Sequence, residues 1–444
     1  MKRITAILVS LFCCFSVFAQ KGLVYNPVLL SVDRENGQYA AGETVNVYGE
    51  LMEDIGETEF VCYVESNGKV IDEKRIVELQ QGEKTLVYSA SFDKPSAVQV
   101  YVHHKDNDKV KAAIGFVVAA EGFRPGFDVP KNFDKFWDKQ LKALRKCSMI
   151  PELTRTDLPK SVSNYDVELY ALKINMPEGR PVHAFIAWPK DARPSSLPIV
   201  ICLHGAGYSR SNATNAVQWA ERGTIAIDIN AHGFPDDQPK AYYDKLAKGE
   251  LKNYRNRKVT GHEDFYFRLM YLRAVRAIDY ATTLDLWDGK KIMTDGSSQG
   301  GAQAIAVAAI DKRVGAVCAR VPAITDLAGH LQDHRYSWPR YGKSMINGDN
   351  IDAEMDVLPY YDGAVMLQRT NAKLWIEAGL IDGTCPAECV ISAFNVAVST
   401  DKTLYTYPYR PHVVNDMDKR RYDKWNELVD NPRRKEINEW LRNL

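Results

Sequence analysis

Hydrophobic and polar positions divide this chain into two stretches with different periods. From residue 20 to about 120, apolar side chains alternate with polar ones or form short β-branched runs. Thr44-Val45-Asn46-Val47-Tyr48, Glu59 to Val64, Lys84 to Tyr88 and Ala97 to Val102 are the clearest. Period-2 alternation turns one face of a strand to a core and the other to water. Asn67-Gly68 and Gln81-Gly82 supply turns between the runs. The pattern predicts a small β-sandwich-like domain over residues 20–120. It holds no Trp, and its tyrosines have strand-like placement. A structural or oligomerising module fits it better than a carbohydrate-binding one.

Gly122-Phe123-Arg124-Pro125-Gly126 punctuates the junction. Phe133, Trp137, Leu141 and Leu144 then recur at helical spacing. Val167 to Asn175 and Val182 to Trp188 read as a hairpin around Pro177-Glu178-Gly179. Strand-like runs near 198–203, 224–229, 291–294, 314–319, 373–378 and 403–407 alternate with helical segments. That order predicts an α/β domain over residues 121–444, a mainly parallel sheet with helices on both faces.

The richest local signal is Gly296-Ser297-Ser298-Gln299-Gly300, between the apolar pair Ile292-Met293 and the small-residue run Gly301 to Ala308. Strand, sharp turn and helix are the setting of a nucleophile elbow, which exposes the middle Ser hydroxyl. Small flanking residues are needed because strand and helix nearly touch. Only Ser298 has Gly two positions away on both sides, so the register selects it over Ser297.

A serine nucleophile needs a base and an acid, which in such elbows follow in the order Ser, Asp or Glu, His. Lys373 to Gly379 reads as a buried strand, with Asp382 just beyond it. Thr403 to Tyr407 reads as another, with His412 in the loop that follows. His330 and His334 precede the acid and are out of order for the base. An oxyanion would be held by the N–H of Gln299, after the nucleophile, and by that of Ala206 in His204-Gly205-Ala206-Gly207. His204 is assigned to bracing that loop. This chemistry calls for no cofactor and no metal. His262-Glu263-Asp264 lacks the second His that a zinc helix requires.

Several separated motifs now carry a family resemblance. Asp264-Phe265-Tyr266-Phe267-Arg268, Tyr271 to Ala277, Gly296 to Gly301, Leu358-Pro359-Tyr360-Tyr361-Asp362, Gly379-Leu380-Ile381-Asp382 and Cys385-Pro386 occur in order. Over residues 120 to 444 the chain resembles the acetyl xylan esterase / cephalosporin C deacetylase family. The resemblance implies an α/β-hydrolase fold, a Ser-Asp-His triad and removal of small acyl groups, chiefly acetyl, from sugars. Two positions depart from the family pattern. Ala231-His232-Gly233 stands where the family usually has Arg-Gly-Gln, and Val413 follows His412 in place of Glu. The first alters a loop close to the site and leaves the acyl-size limit open. Competing readings are an esterase for bulkier, cinnamoyl-type acids, a peptidase of the same fold, and a non-catalytic carbohydrate-binding protein. The segment Val321 to Ala372 holds Tyr336, Trp338, Tyr341, Tyr360 and Tyr361, which suit either sugar rings or cap packing.

Charge and the N-terminus bear on partners and location. The 444 residues carry 57 basic and 57 acidic side chains. Zero net charge argues against nucleic-acid or membrane-surface partners held by bulk electrostatics. Lys2 and Arg3, the apolar run Ile4 to Phe18 and the site Val17-Phe18-Ala19 read as a signal peptide over residues 1–19. The run is short for a membrane span. A secreted or periplasmic protein is expected, with acetylated carbohydrate as its partner. Six cysteines follow the leader. Cys202 and Cys318 read as buried apolar residues, and Cys385 and Cys389 are close enough to consider a bridge beside the acid loop.

Overall fold

The computed structural model describes residues 26–107, 110–208, 210–256, 259, 261–341 and 351–443. The leader expected over 1–19 lies outside them.

The first part is all β. Strands β1 (Val28–Ser31), β3 (Thr44–Leu51) and β6 (Thr85–Ser91) form one sheet. Strands β2 (Gln38–Tyr39), β4 (Glu59–Ser66), β5 (Lys69–Glu78), β7 (Ser96–His104) and β8 (Lys111–Val118) form a second, in the order β2-β8-β7-β4-β5. One apolar cluster serves both sheets, with Val45, Val47, Phe60, Val64, Val100 and Phe116 at its centre. The Asn67-Gly68 turn joins β4 to β5, both residues at positive φ as a tight hairpin requires. Strand β5 was not read from the sequence. Its Asp72-Glu73-Lys74-Arg75 breaks the alternation, and it lies at the sheet edge where charge is tolerated.

The second part is built on a nine-stranded sheet. Its strands are β9 (Pro151–Arg155), β10 (Val167–Ile174), β11 (Val182–Pro189), β12 (Leu197–Leu203), β13 (Ile225–Ile229), β14 (Trp287–Ser297), β15 (Ala316–Arg320), β16 (Lys373–Gly379) and β17 (Lys402–Tyr407). The order is β17-β16-β15-β14-β12-β13-β11-β10-β9. Pairing from β13 to β17 is parallel; β9, β10 and β11 add antiparallel. The central strands are buried on both faces, which is why β12 is apolar throughout. Ile199, Ile201 and Leu203 share a core with helices Phe133–Lys146, Tyr266–Ala281 and Gln299–Ile310. Val200 and Cys202 face the other way, against helices Ala213–Ala220 and Asn431–Arg442. This is the α/β-hydrolase architecture.

Buried ion pairs fix the loops at the carboxyl ends of these strands. Glu377 of β16 is fully buried. It accepts from Arg410 Nε at 2.7 Å, Trp425 Nε1 at 3.0 Å and Arg433 Nη1 at 2.6 Å. Arg410 in turn donates to the carbonyl of His412 at 3.0 Å. Burial alone would raise the Glu377 pKa, but the two guanidinium groups overcome that and lower it from 4.5 to about 2. The folded value lies below the unfolded one. Its contribution to stability is therefore complete above about pH 4.5 and is lost as pH falls through about 2. Glu377→Gln is expected to cost about 3 kcal/mol at neutral pH. Urea unfolding at pH 7 and pH 3 measures it, and the gap to wild type should shrink at the lower pH. A gap that is constant with pH would show that the pair does not carry this linkage.

Candidate active site

Strand β14 runs into helix Gln299–Ile310 through a single residue, Ser298, at φ 57° and ψ −123°. A non-glycine residue there stores about 1–3 kcal/mol of strain and needs its surroundings to hold it. Ser298 N–H donates to Arg320 O at 2.9 Å, and Ser298 O accepts from Ala323 N at 3.0 Å and Ala302 N at 3.1 Å. The crossing is too tight for side chains. A Cβ on Gly296 would lie 2.3 Å from the Gly300 backbone, and one on Gly300 would lie 2.0 Å from Leu203 O.

The loops after β16 and β17 bring Asp382 and His412 to Ser298. His412 Nε2 lies 2.9 Å from Ser298 Oγ, and His412 Nδ1 lies 2.8 Å from Asp382 Oδ2. A carboxylate only accepts, so Nδ1 carries the proton and Nε2 is free to accept from the hydroxyl. Asp382 is fully buried, and its other oxygen accepts from the N–H groups of Thr384 at 2.7 Å and Cys385 at 2.8 Å. Ser298 and His412 remain partly open to solvent.

Gln299 starts the elbow helix, so its N–H faces outward without an intrahelical acceptor. The loop after β12 crosses the elbow: a Cβ on Gly205 would lie 3.5 Å from Ser297 O and 3.9 Å from Ser298 Cβ. Ala206, at its tip, is exposed.

Two histidines hold this loop against Ala231-His232-Gly233. His204 Nδ1 donates to Gly205 O at 2.7 Å while its Nε2 accepts from Ala231 N–H at 3.0 Å. His232 Nε2 donates to Gly207 O at 2.8 Å, so its Nδ1 accepts from the Tyr266 hydroxyl at 2.9 Å. Burial lowers the His232 pKa to about 3, which keeps the ring neutral. Tyr254 packs edge-on against His232, and its hydroxyl donates to Gln299 Oε1. Of these residues the sequence pointed to His204 and to the unusual Ala231-His232-Gly233 loop, but not to Tyr254. Nothing marks a tyrosine in a short 3₁₀ turn as a partner of the elbow.

Other side chains take plainer roles. Tyr341 and Tyr361 are buried, with hydroxyls bonded to Arg255 O and His262 O, so they pack the cap and offer no face to a sugar. Cys385 and Cys389 are both free and buried. The Cys385 thiol lies beside the Ser298 hydroxyl, and burial and the Asp382 carboxylate push its pKa up, which keeps it protonated. Cys389 joins Asp326 and His334 in a cluster of metal-ligand types. There Asp326 Oδ2 accepts from His334 Nδ1 at 2.7 Å and Ser392 Oγ at 3.0 Å, so the protein satisfies the carboxylate itself.

Residues 119–427 match the acetyl xylan esterase (AXE1) family. The chain belongs to the acetyl xylan esterase family. It is 27% identical over 317 residues to acetyl esterase Axe7A of Xylanibacter ruminicola, covering 70% of this chain and 68% of that relative. Its fold is similar to that of an acetyl xylan esterase from Paenibacillus sp. R4, with TM-score 0.57 and 22% identity over 66% of this chain and 93% of that one. An acetyl xylan esterase from a Thermoanaerobacterium species gives TM-score 0.52 and 20% identity over 66% and 92%. This member of the family is thus a carboxylic ester hydrolase of α/β-hydrolase fold. Among its described residues no helix is long and apolar enough to cross a membrane.

The elbow's steric limit has a direct test. Gly300→Ala should abolish ester hydrolysis, because the added methyl meets backbone on the neighbouring strand. Full activity with a wild-type melting temperature would mean that the elbow can open.

Proposed function

We propose that this esterase removes acetyl groups from carbohydrate, such as acetylated xylan or xylo-oligosaccharides, through a Ser298-His412-Asp382 triad. The hydrogen-bonded chain from Ser298 Oγ through His412 to Asp382 carries the proposal. His412 Nε2 takes the Ser298 proton as Oγ attacks the ester carbonyl. Asp382 keeps the imidazole in the required tautomer and balances its charge once it is protonated. The N–H groups of Gln299 and Ala206 hold the oxyanion, each contributing roughly 10² to 10³ in rate. Collapse of the tetrahedral species leaves an acetyl-enzyme on Ser298 and passes the His412 proton to the departing sugar alcohol. Water, activated by the same histidine, releases acetate. No cofactor enters this sequence.

The leader pattern over residues 1–19 supports secretion or export to the periplasm, followed by cleavage after Ala19. Residues 20–120 and 121–444 would then be the two domains of the mature protein. A family of carbohydrate esterases and a chain with no net charge both favour a neutral glycan as substrate.

Hydrolysis of 4-nitrophenyl acetate, butyrate and octanoate by the mature protein tests the reaction. Acetate should be the best substrate. Ser298→Ala should lower kcat by roughly 10⁴ or more, and Ser297→Ala by far less. A Ser298→Ala enzyme that keeps its activity would end the triad reading. Preference for octanoate would end the acetyl reading alone.

A further inference from the structure

The all-β region does not stand clear of the esterase. Gln99 Nε2, on the outer face of the five-stranded sheet, donates to Leu380 O at 2.9 Å, two residues before Asp382. Gly115 N–H donates to Pro408 O at 2.9 Å, and a Cβ there would lie 2.2 Å from Leu380 O. The sheet is thus seated on the loops that carry the acid and the base. Beside this contact the two parts separate into a cleft of about 1160 Å³.

The cleft has a definite chemistry. On the sheet side Tyr63, Tyr101 and Ala113 lie opposite one another across three strands. Small Ala113 leaves a trough next to the tyrosines. Tyr63 and Tyr101 stack with centroids 4.8 Å apart and planes 12° apart, and both are only half-buried. The Tyr101 hydroxyl is tied to Gln99 Oε1 at 2.6 Å, which fixes the pair. Ile381 and Tyr409, from the acid and base loops, form the opposite wall. Acidic side chains (Glu65, Glu73, Asp416, Asp418) nearly balance basic ones (Lys74, Lys111, Arg421), so neither a polyanion nor a polycation is selected. The space exceeds the roughly 300–1,000 Å³ of a small-molecule pocket and suits an oligomer.

We propose that this cleft binds the main chain of an uncharged polysaccharide and holds it beside the esterase site. An apolar sugar face lies in the trough over Ala113 against Tyr101, which the stacked Tyr63 ring backs from its other side, and ring hydroxyls meet the mixed charged rim. The N-terminal part then acts as a substrate-positioning wall, with selectivity for polymer over small esters. This rests on the carbohydrate-ester function proposed above, and its test is separable from that function.

Tyr63→Ala is the variant of choice, because Tyr101 is coupled through Gln99 to the acid loop. The probe for binding is native electrophoresis of the full chain in gels containing unsubstituted xylan or glucomannan. Wild type should be retarded by at least one of them, Tyr63→Ala should not, and Tyr63→Phe, which keeps the ring, should behave as wild type. In parallel, Tyr63→Ala should lose roughly 5-fold or more in kcat/KM on acetylated xylan, with 4-nitrophenyl acetate hydrolysis unchanged. No retardation of wild type by either polysaccharide would overturn the proposal. So would equal losses on polymer and small ester, which would mark Tyr63 as structural. Loss of small-ester activity in Ser298→Ala reports the catalytic reading and stands apart from both results.

Discussion

The tight crossing of three backbones at the elbow governs this molecule. Strand β14, the helix that leaves it and the end of β12 approach so closely that Gly296 and Gly300 have no room for a methyl group. That contact forces Ser298 to turn at positive φ, since no gentler bend returns the chain over the sheet in one residue. The strain is held by three backbone hydrogen bonds at Ser298 and by a helix, Gln299–Ile310, that is buried on every side. Once this crossing is set, Ser298 stands at the carboxyl edge of a parallel sheet. Asp382 and His412 reach it from loops at that same edge.

Those loops are held mainly by charge, in places where apolar packing would give less directional control. Glu377 fixes Arg410, and through it the segment just before His412. Arg335 forks onto Glu388 at 2.7 and 2.9 Å, and also reaches Gln99 at 2.9 Å. This ties the helix after the acid loop to the N-terminal sheet. Each pair is buried, so desolvation offsets much of its attraction and its net stabilisation is modest. Its effect is geometric: a bidentate guanidinium accepts one placement of its carboxylate. Loops bearing Asp382 and His412 need that restriction, because an error of about 1 Å at His412 would uncouple it from Ser298.

The sequence made legible what depends on local pattern. Strand periodicity, the Gly-x-Ser-x-Gly spacing and the order of Ser298, Asp382 and His412 are all short-range or ordinal features. The central strands were read within a few residues because burial on both faces leaves them apolar. The edge strands β5 and β9 were missed for the opposite reason. Strand β9 has every residue exposed and β5 is interrupted by charges, so neither shows a hydrophobic period. The sequence pointed to His204 as a brace of the Gly205-Ala206-Gly207 loop, but the part of Tyr254, His232 and Tyr266 in it was beyond sequence reading. Tyr254, His232 and Tyr266 are separated by up to 34 positions and meet only after the sheet forms, and aromatic residues in loops are common without such a role. The cap tyrosines illustrate the converse. Tyr341 and Tyr361 have the composition of a sugar platform, but burial is a property of the packed fold and not of residue type.

The unusual Ala231-His232-Gly233 loop follows from how the two histidines share protons. His204 accepts the Ala231 N–H through Nε2, so a proton on that nitrogen would set donor against donor. Burial lowers the pKa of both rings, which keeps each neutral and each in one tautomer. Their planes lie 6.1 Å apart between centroids, close enough that charge on one disfavours charge on the other. An arginine in this loop would bring a fixed positive charge and no acceptor. A neutral imidazole supplies one donor, to Gly207 O, and one acceptor, to Tyr266, and so fixes the loop's carbonyl. The buried Arg273 guanidinium already donates to Ala231 O at 3.1 Å from behind this loop, so the neutral imidazole adds the acceptor that a second cation could not supply.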